Sequence, residues 1–334
     1  MIESAPGPVF VSGETARHVF RWRDAIEALQ QAYGRTITPE AAPPRTIARA
    51  EKAWLRTLPA IPPAGRYFGA KLMGMCIAAP APAVEYVIVL FDRSNSRIAA
   101  FLDANVITGF RTAATSAAAL DRLAPPGPAR LAVLGSGLEA SMHTRAFASI
   151  RPLSEVVIYS TTPPRRTAFA ETVTRELDIP ARAVTSAREA VHGADVVLAA
   201  ARSHGEVPIL FADWLKPGSI VVSIGSTVPE QREIDVSVVE RCDLIVCDAL
   251  EEVLHETGDM IAASAAGVAV HAKACSLAEL MSGAAAERAL TATAPMFKSV
   301  GGGLQDIIVA ELILTKALQA GLATPLPIAF ESKH

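Results

Sequence analysis

Aromatic side chains are scarce in this 334-residue chain, at 5%, so no extended stacking surface for bases is expected. A basic excess is missing as well: 31 Lys+Arg against 34 Asp+Glu give a formal net charge of −3, and no Lys/Arg run stands out. Both absences argue against nucleic acid as a partner. The four cysteines, Cys76, Cys242, Cys247 and Cys275, have no C-x-x-C or Cys/His ligand spacing, and none of the seven histidines forms a metal pair, so no metal is expected. Cys242 and Cys247 read as core thiols of a protein in a reducing compartment. No stretch reaches the ~18 unbroken apolar residues of a membrane span. The first residues lack a basic segment followed by an apolar one, which predicts a cytoplasmic protein with no membrane partner. Hydrolase chemistry of the Ser/His/Asp kind lacks its nucleophile elbow.

What the chain does carry is an apolar run, Ala129 to Leu134, that leads straight into Gly135-Ser136-Gly137-Leu138-Glu139-Ala140. This is the strand-to-helix turn that seats a dinucleotide pyrophosphate: Gly135 permits the tight turn, Gly137 lets backbone amides approach phosphate, and Ala140 lets helix and strand pack closely. The same letters also occur in glycine-rich turns that serve no ligand, so context decides. Downstream, residues 155–160, 195–200, 219–224 and 243–247 are short β-branched runs of the kind buried on both faces of a parallel sheet. Helical patterns at 138–150, 164–177, 187–193 and 234–242 separate them at the spacing of βαβ units. The pattern predicts a doubly wound α/β domain over 119–303, with ligands bound beyond the carboxyl ends of its strands.

The first 118 residues differ in texture. A helical stretch at 25–33 and proline-rich joints precede strands at 67–73, 85–91 and 98–102, the last two joined by the turn-forming Asp92 to Arg97. A helix follows over 104–123, then a breaker at Pro125 to Pro128. Near the far end, residues 304–320 repeat apolar positions at helical spacing before Gly321, and this helix is expected to return to the first domain. The chain therefore reads as an α+β domain, 1–118 plus 304–334, with the 119–303 domain inserted in it, and substrate would meet coenzyme in the cleft between them.

Three cations of the first domain stand in uncharged or structurally marked surroundings: Arg45, Lys71 and Arg111. Lys71 interrupts an apolar strand, where a buried ammonium must be paired or have its pKa lowered, and either situation suits proton transfer. An edge-strand lysine facing water has the same pattern. Arg111, on a helix of small residues, suits a bidentate carboxylate clamp or a structural ion pair. Ser226 and Thr227 follow a buried strand and would project near the reacting end of a coenzyme, or serve as turn hydroxyls. Phe297 to Gly303 reads as a second glycine-rich loop that closes over the dinucleotide, or as a helix-entry hinge. The second strand of the inserted domain ends in Tyr159-Ser160-Thr161-Thr162 and continues into Arg165-Arg166. An NAD site usually places an acidic residue there, so hydroxyls and guanidiniums favour NADP(H), with NAD(H) still possible.

Taken together the motifs resemble the ornithine cyclodeaminase/mu-crystallin family over nearly the full length. The matching stretches are Pro44-Arg45-Thr46, Gly69-Ala70-Lys71, Leu102-Asp103 with Ile107-Thr108 and Arg111 to Ala114, the Gly135 turn, Gly225 with Pro229 and Arg232 to Asp235, and Phe297 to Gly301 with Asp306. The resemblance implies a homodimer built through the first domain, a Rossmann domain binding NAD(P), and substrates that are amino acids or their cyclic imines. It also implies that Arg45, Lys71 and Arg111 hold the substrate carboxylate beside the imine, with Thr112 and the Gly135, Ser136, Gly137 and Leu138 turn on the coenzyme phosphates. From the strand ends and the second glycine-rich loop, Ser160, Thr161, Arg165, Arg166, Ser226, Ser299 and Gly301 are expected to join the coenzyme site, with Lys71 and Thr227 at the reacting centre.

Two departures matter. Cyclodeaminases of this family place a catalytic aspartate where this chain has Thr227, and His255 to Met260 resembles the mu-crystallin branch. Glu139 stands where the family usually has glutamine, and a carboxylate there would oppose phosphate unless it points away. The sequence thus predicts an NADP(H)-dependent reductase of a small cyclic ketimine or 2-imino acid, or the reverse amino-acid dehydrogenase. The alternatives are an NAD-dependent ornithine cyclodeaminase and a non-catalytic, coenzyme-dependent binder of small molecules.

Overall fold

The computed structural model describes residues 7–76, 83–201 and 207–331. The chain divides into two compact units, one reaching Arg111 and resuming at Gly302, the other running from Thr112 to Gly301. The division cuts the helix Ala104–Leu123. Arg111 bonds to residues of the final helix, whereas Ser116 bonds to His143.

The first unit is built on a seven-stranded mixed sheet in the order Thr324–Pro325, Val9–Val11, Ile98–Asp103, Ala83–Asp92, Tyr67–Cys76, Ala53–Ala60, Thr46–Ala50. The expected hairpin is present, with its turn tied by Asp92, which accepts from the Ser94 amide at 2.9 Å and from Arg66 Nε at 2.8 Å. The Tyr67–Cys76 strand alternates buried and half-buried residues along its first seven positions, so Gly69, Lys71 and Met73 share the buried face. The helix Gly303–Gln319 packs on this sheet, and Trp22–Tyr33 packs on that helix. The former begins at Gly303, where an added Cβ would lie 2.6 Å from the Pro59 carbonyl oxygen and 2.7 Å from that of Leu58. Only glycine allows the helix to start so close to the strand. The next turn, with Gln305 and Asp306, is thereby brought onto the sheet.

The second unit is an eight-stranded sheet, parallel throughout, in the order Ala274–Ser276, Leu244–Cys247, Pro295–Lys298, Ile220–Ser223, Val196–Ala199, Ala129–Leu134, Leu153–Tyr159, Ala181–Ala183. The chain winds outward in both directions from Ala129–Leu134, the doubly wound α/β arrangement that the strand and helix spacing predicted. Its central strands are buried on both faces, which explains why they read as unbroken apolar runs.

The structure corrects the reading of Phe297 to Gly303 as a loop throughout. Phe297 and Lys298 end a fully buried central strand that lies between Ile220–Ser223 and Leu244–Cys247. Four residues that include a proline and a lysine give no strand signal by composition; neighbours on both sides and a partner for the lysine make the strand. The final helix begins only after the glycines, at Gly303.

Candidate active site

In the first unit, Lys71 is 2% exposed and Asp306 is fully buried. The Lys71 Nζ donates to Asp306 Oδ1 at 2.9 Å, lies 2.8 Å from Oδ2, and stands 3.5 Å from Thr108 Oγ1. Arg111, 6% exposed, brings its Nε to 3.1 Å from Asp306 Oδ1 and donates through Nη1 to Gln305 Oε1 at 3.0 Å. Gln305 in turn donates to the Tyr33 hydroxyl at 3.2 Å. One buried carboxylate therefore holds two cations, and its neighbour on the same helix holds the second of them a second time. Burial pulls the Lys71 pKa from 10.5 down to about 8; Asp306 opposes the fall, and the positive charges of Arg111 and Arg56 add to it. A lysine so placed changes protonation close to neutral pH. Arg45 lies half-buried, one residue before the Thr46–Ala50 strand.

In the second unit the parallel arrangement brings the carboxyl ends of the strands to one edge. Gly135 adopts φ +133°, and a Cβ there would meet the Ala200 carbonyl oxygen at 2.6 Å, so this turn requires glycine. Gly137 is the N-cap of the helix Leu138–Ile150 and supplies no capping side chain, while a Cβ on it would touch nothing within 4 Å. Open space over uncapped first-turn amides is what a phosphate group needs, so these residues fit a dinucleotide. Leu138 stands 55% exposed beside them. Glu139 directs one carboxylate oxygen to within 3.7 Å of His143 Nδ1, along the helix. His143 is itself fully buried, with Ser116 Oγ 3.0 Å from Nε2.

At the neighbouring strand end, Ser136 donates to the Ser160 hydroxyl at 2.9 Å, and Arg166 donates to the Ser160 carbonyl at 2.8 Å. Thr161 and Arg165 are exposed. Thr112 is buried in its helix. Ser226 donates to the Gln231 carbonyl at 2.5 Å, and the Thr227 amide and hydroxyl lie 3.2 and 3.4 Å from the Gln231 side-chain oxygen. Ser299 and Gly301 also stand at this edge, yet both donate to Asp248, at 2.6 and 2.9 Å, with the Val300 amide adding 3.0 Å. Their bonds shape the loop.

A buried charge network under this edge escaped the sequence reading. Lys298 donates to Ser223 Oγ and to Asp259, each at 2.8 Å. Ser223 donates to Glu233 at 2.9 Å, and Glu233 also accepts from the amides of Gly225 and Ala201, both at 2.8 Å. Asp259 closes the circuit by accepting from the Glu233 amide at 2.8 Å. Burial pushes the Glu233 carboxyl from 4.5 up to about 7, against the downward pull of Lys298. The network pins the loop that carries Ser226 and Thr227. Glu233 and Lys298 fall in stretches that carry the family resemblance, but acidic and basic residues set among apolar ones do not reveal their partners. Among the described residues no cluster of His, Cys, Asp or Glu suits a metal ion, and no helix is long and apolar enough to cross a membrane.

Fold and site together define a class: the chain belongs to the ornithine cyclodeaminase/mu-crystallin family, whose sequence profile matches residues 12–321. Among its relatives is the ketimine reductase mu-crystallin of Macropus fuliginosus, 34% identical over 240 residues and covering 72% of each chain. The delta(1)-pyrroline-2-carboxylate reductase of Paracoccus denitrificans is 28% identical over 328 residues, 94% of this chain and 98% of the relative. Among solved structures, the Thermococcus litoralis delta(1)-pyrroline-2-carboxylate reductase in complex with NADH and L-proline superposes with a TM-score of 0.85 at 27% identity. That match covers 95% of this chain and all of the other.

The buried network generates one prediction. Lys298→Met leaves the Asp259 and Glu233 carboxylates without their buried cation, and should cost about 3–5 kcal/mol in urea unfolding. A loss below about 1 kcal/mol would show that the network does not carry this edge of the sheet.

Proposed function

We propose that this protein is an NADP(H)-dependent reductase of small cyclic ketimines or 2-imino acids, able to run the reverse amino-acid oxidation. The observation that carries the reading is Lys71, buried and held by Asp306 beside Arg111. Arg111, braced by Asp306 and Gln305, and Arg45 hold the substrate carboxylate as paired donors. When bound, the reduced coenzyme supplies the hydride. Lys71 gives a proton to the imine nitrogen, and the resulting iminium carbon accepts hydride more readily than a neutral imine. Thr227 lies on the loop that the Glu233 network pins.

Cyclodeamination is disfavoured by that same loop. The nearest carboxylate following Thr227 that is buried, Glu233, has its oxygens occupied by Ser223, Gly225 and Ala201. It is not free to act as the base that the family's cyclodeaminases supply with an aspartate.

The preference for NADP(H) rests on Ser160, Thr161, Arg165 and Arg166. With Arg166 anchored to the Ser160 carbonyl and no acid at the strand end, a 2′-phosphate meets hydroxyls and guanidinium groups. The protein is a homodimer through its first unit, whose edge strand Thr46–Ala50 is exposed at every position and whose Ile47 and Leu55 are 37% and 46% exposed. Free cysteines, three of them buried, suit a cytoplasmic location.

Four measurements check these statements. Lys71→Ala should lower kcat for cyclic imine reduction at least ~100-fold while leaving coenzyme affinity by fluorescence titration unchanged; undiminished turnover would remove the role given to Lys71. In the wild type, kcat/KM for reduction should fall as pH rises through about 8, where Lys71 loses its proton, and amino-acid oxidation should rise through the same range. Titration should find NADPH bound more tightly than NADH, with the difference lost in Arg166→Ala; a wild-type preference for NADH would reverse the assignment. Light scattering of the whole chain should give twice 35.1 kDa, and a single-chain mass would contradict the dimer.

A further inference from the structure

In the second unit the Gly135 turn is folded against the end of a neighbouring strand, and one buried side chain fixes that end. The Ala200 carbonyl oxygen occupies the space that a Cβ on Gly135 would need, at 2.6 Å, and the Ala200 amide donates to the Leu134 carbonyl at 2.9 Å. The next amide, that of Ala201, donates to Glu233 Oε1 at 2.8 Å. Past the end of Ile220–Ser223, the Gly225 amide donates to Glu233 Oε2 at 2.8 Å, and the Ser223 hydroxyl donates to the same oxygen at 2.9 Å. A Cβ on Gly225 would stand 2.2 Å from Glu233 Oε1 and 2.6 Å from the Ala201 carbonyl oxygen, so glycine lets both strand ends close on the carboxylate. Glu233, with no exposed surface, thus ties together two adjacent strand ends, one of which is the wall of the phosphate turn.

All three of its partners are donors, which a carboxylate accepts and a carboxylic acid does not. A proton on Oε1 points at the Ala201 amide. On Oε2 it competes with the Gly225 amide, because the Ser223 hydroxyl can turn to accept and a backbone amide cannot. Either way a buried amide at a strand end opposes a donor. The charged groups that reach Glu233 are Lys298, from the Pro295–Lys298 strand, which favours the carboxylate, and Asp259, from the helix Gly258–Ala265, which opposes it. On its own segment, Asp235 is engaged by Ser237 and by the charge of Arg232. Burial is the largest influence, and it brings the change of protonation to about 7.

Resting on the dinucleotide reading of the Gly135 turn, we propose that Glu233 is a positioning residue for the coenzyme and that binding requires its ionised form. The carboxylate sets the backbone at Ala200, Ala201 and Gly225 in the form that admits a dinucleotide, and the bound dinucleotide drives the remaining proton off Glu233 into solvent. The sign separates this from repulsion at a distance. A carboxylate that acted only through space on the coenzyme phosphates would weaken binding when ionised, so affinity would rise as pH falls; a positioning carboxylate gives the reverse.

NADH is the probe, because it lacks the 2′-phosphate, a group that itself takes up a proton at about pH 6. Fluorescence titration of the wild type should give a Kd about tenfold higher at about pH 6 than at about pH 8, as follows when the competent fraction tracks a group titrating near 7. Calorimetry at about pH 7, in buffers of different ionisation enthalpy, should show about half a proton released per NADH bound. Glu233→Gln sets an N–H against a buried amide at every pH. It should bind NADH no better than the wild type does at about pH 6, and its Kd should no longer change with pH. A wild-type Kd that is flat or lower at acid pH, proton uptake in place of release, or a wild-type slope kept by Glu233→Gln overturns the proposal. If Glu233→Gln does not fold, the wild-type slope and proton count decide alone, by the same signs. Absence of NADH binding at any pH overturns the coenzyme reading and the proposal with it, whereas binding that ignores pH overturns the proposal alone.

Discussion

The carboxylate of Asp306 is the constraint on which the first unit's chemistry depends. It has no exposed surface, and it bonds to a lysine from the sheet while standing beside an arginine from another helix. Two cations brought this close without it would repel each other and lose their water, a cost that neither strand nor helix packing offsets. With it, Lys71 sits between two opposed influences: burial lowers its pKa and the anion raises it, so that its proton becomes exchangeable near neutral pH. Gly303 makes the arrangement possible, because the helix that carries Asp306 must begin against the Leu58 and Pro59 carbonyls.

The second unit applies the same physics to a different end. Lys298, Asp259 and Glu233 form a closed buried circuit whose remaining acceptor capacity is taken up by backbone amides at Gly225, Ala201 and Ile234. Charge fixes where a loop runs, since a buried carboxylate that lost its amides would remain unsatisfied. Asp248 repeats the device on a smaller scale by gathering Ser299, Val300 and Gly301. The loops at the carboxyl edge of this sheet are therefore held by side chains from beneath, while the Gly137 amides are left uncapped for a ligand.

Much of this was legible in the sequence wherever the physics is local. The Gly135 turn, the apolar strands of the parallel sheet and the hairpin around Asp92 each depend on residues within a few positions of one another, and each was read correctly. Lys71 was recognised as an oddity because a lysine inside an apolar strand is one. Its partner was not, since Asp306 lies 235 residues away and, inside a helix pattern, differs little from an exposed acid. The partners of Lys298 and Glu233 are hidden for the same reason. The Pro295–Lys298 strand owes its existence to two neighbouring strands and a buried ion pair rather than to propensity.

The central claim is that a buried carboxylate tunes Lys71, and titration of that one side chain tests it most directly. With ¹⁵N-labelled lysine and Lys71 assigned by its loss in a Lys71→Ala sample, NMR should give a midpoint near 8 in the wild-type protein. Asp306→Asn should move the midpoint lower still, because the anion that favours the ammonium is gone while burial and Arg111 remain. A wild-type midpoint at the ordinary lysine value of about 10.4, or one that Asp306→Asn leaves in place, would contradict the account.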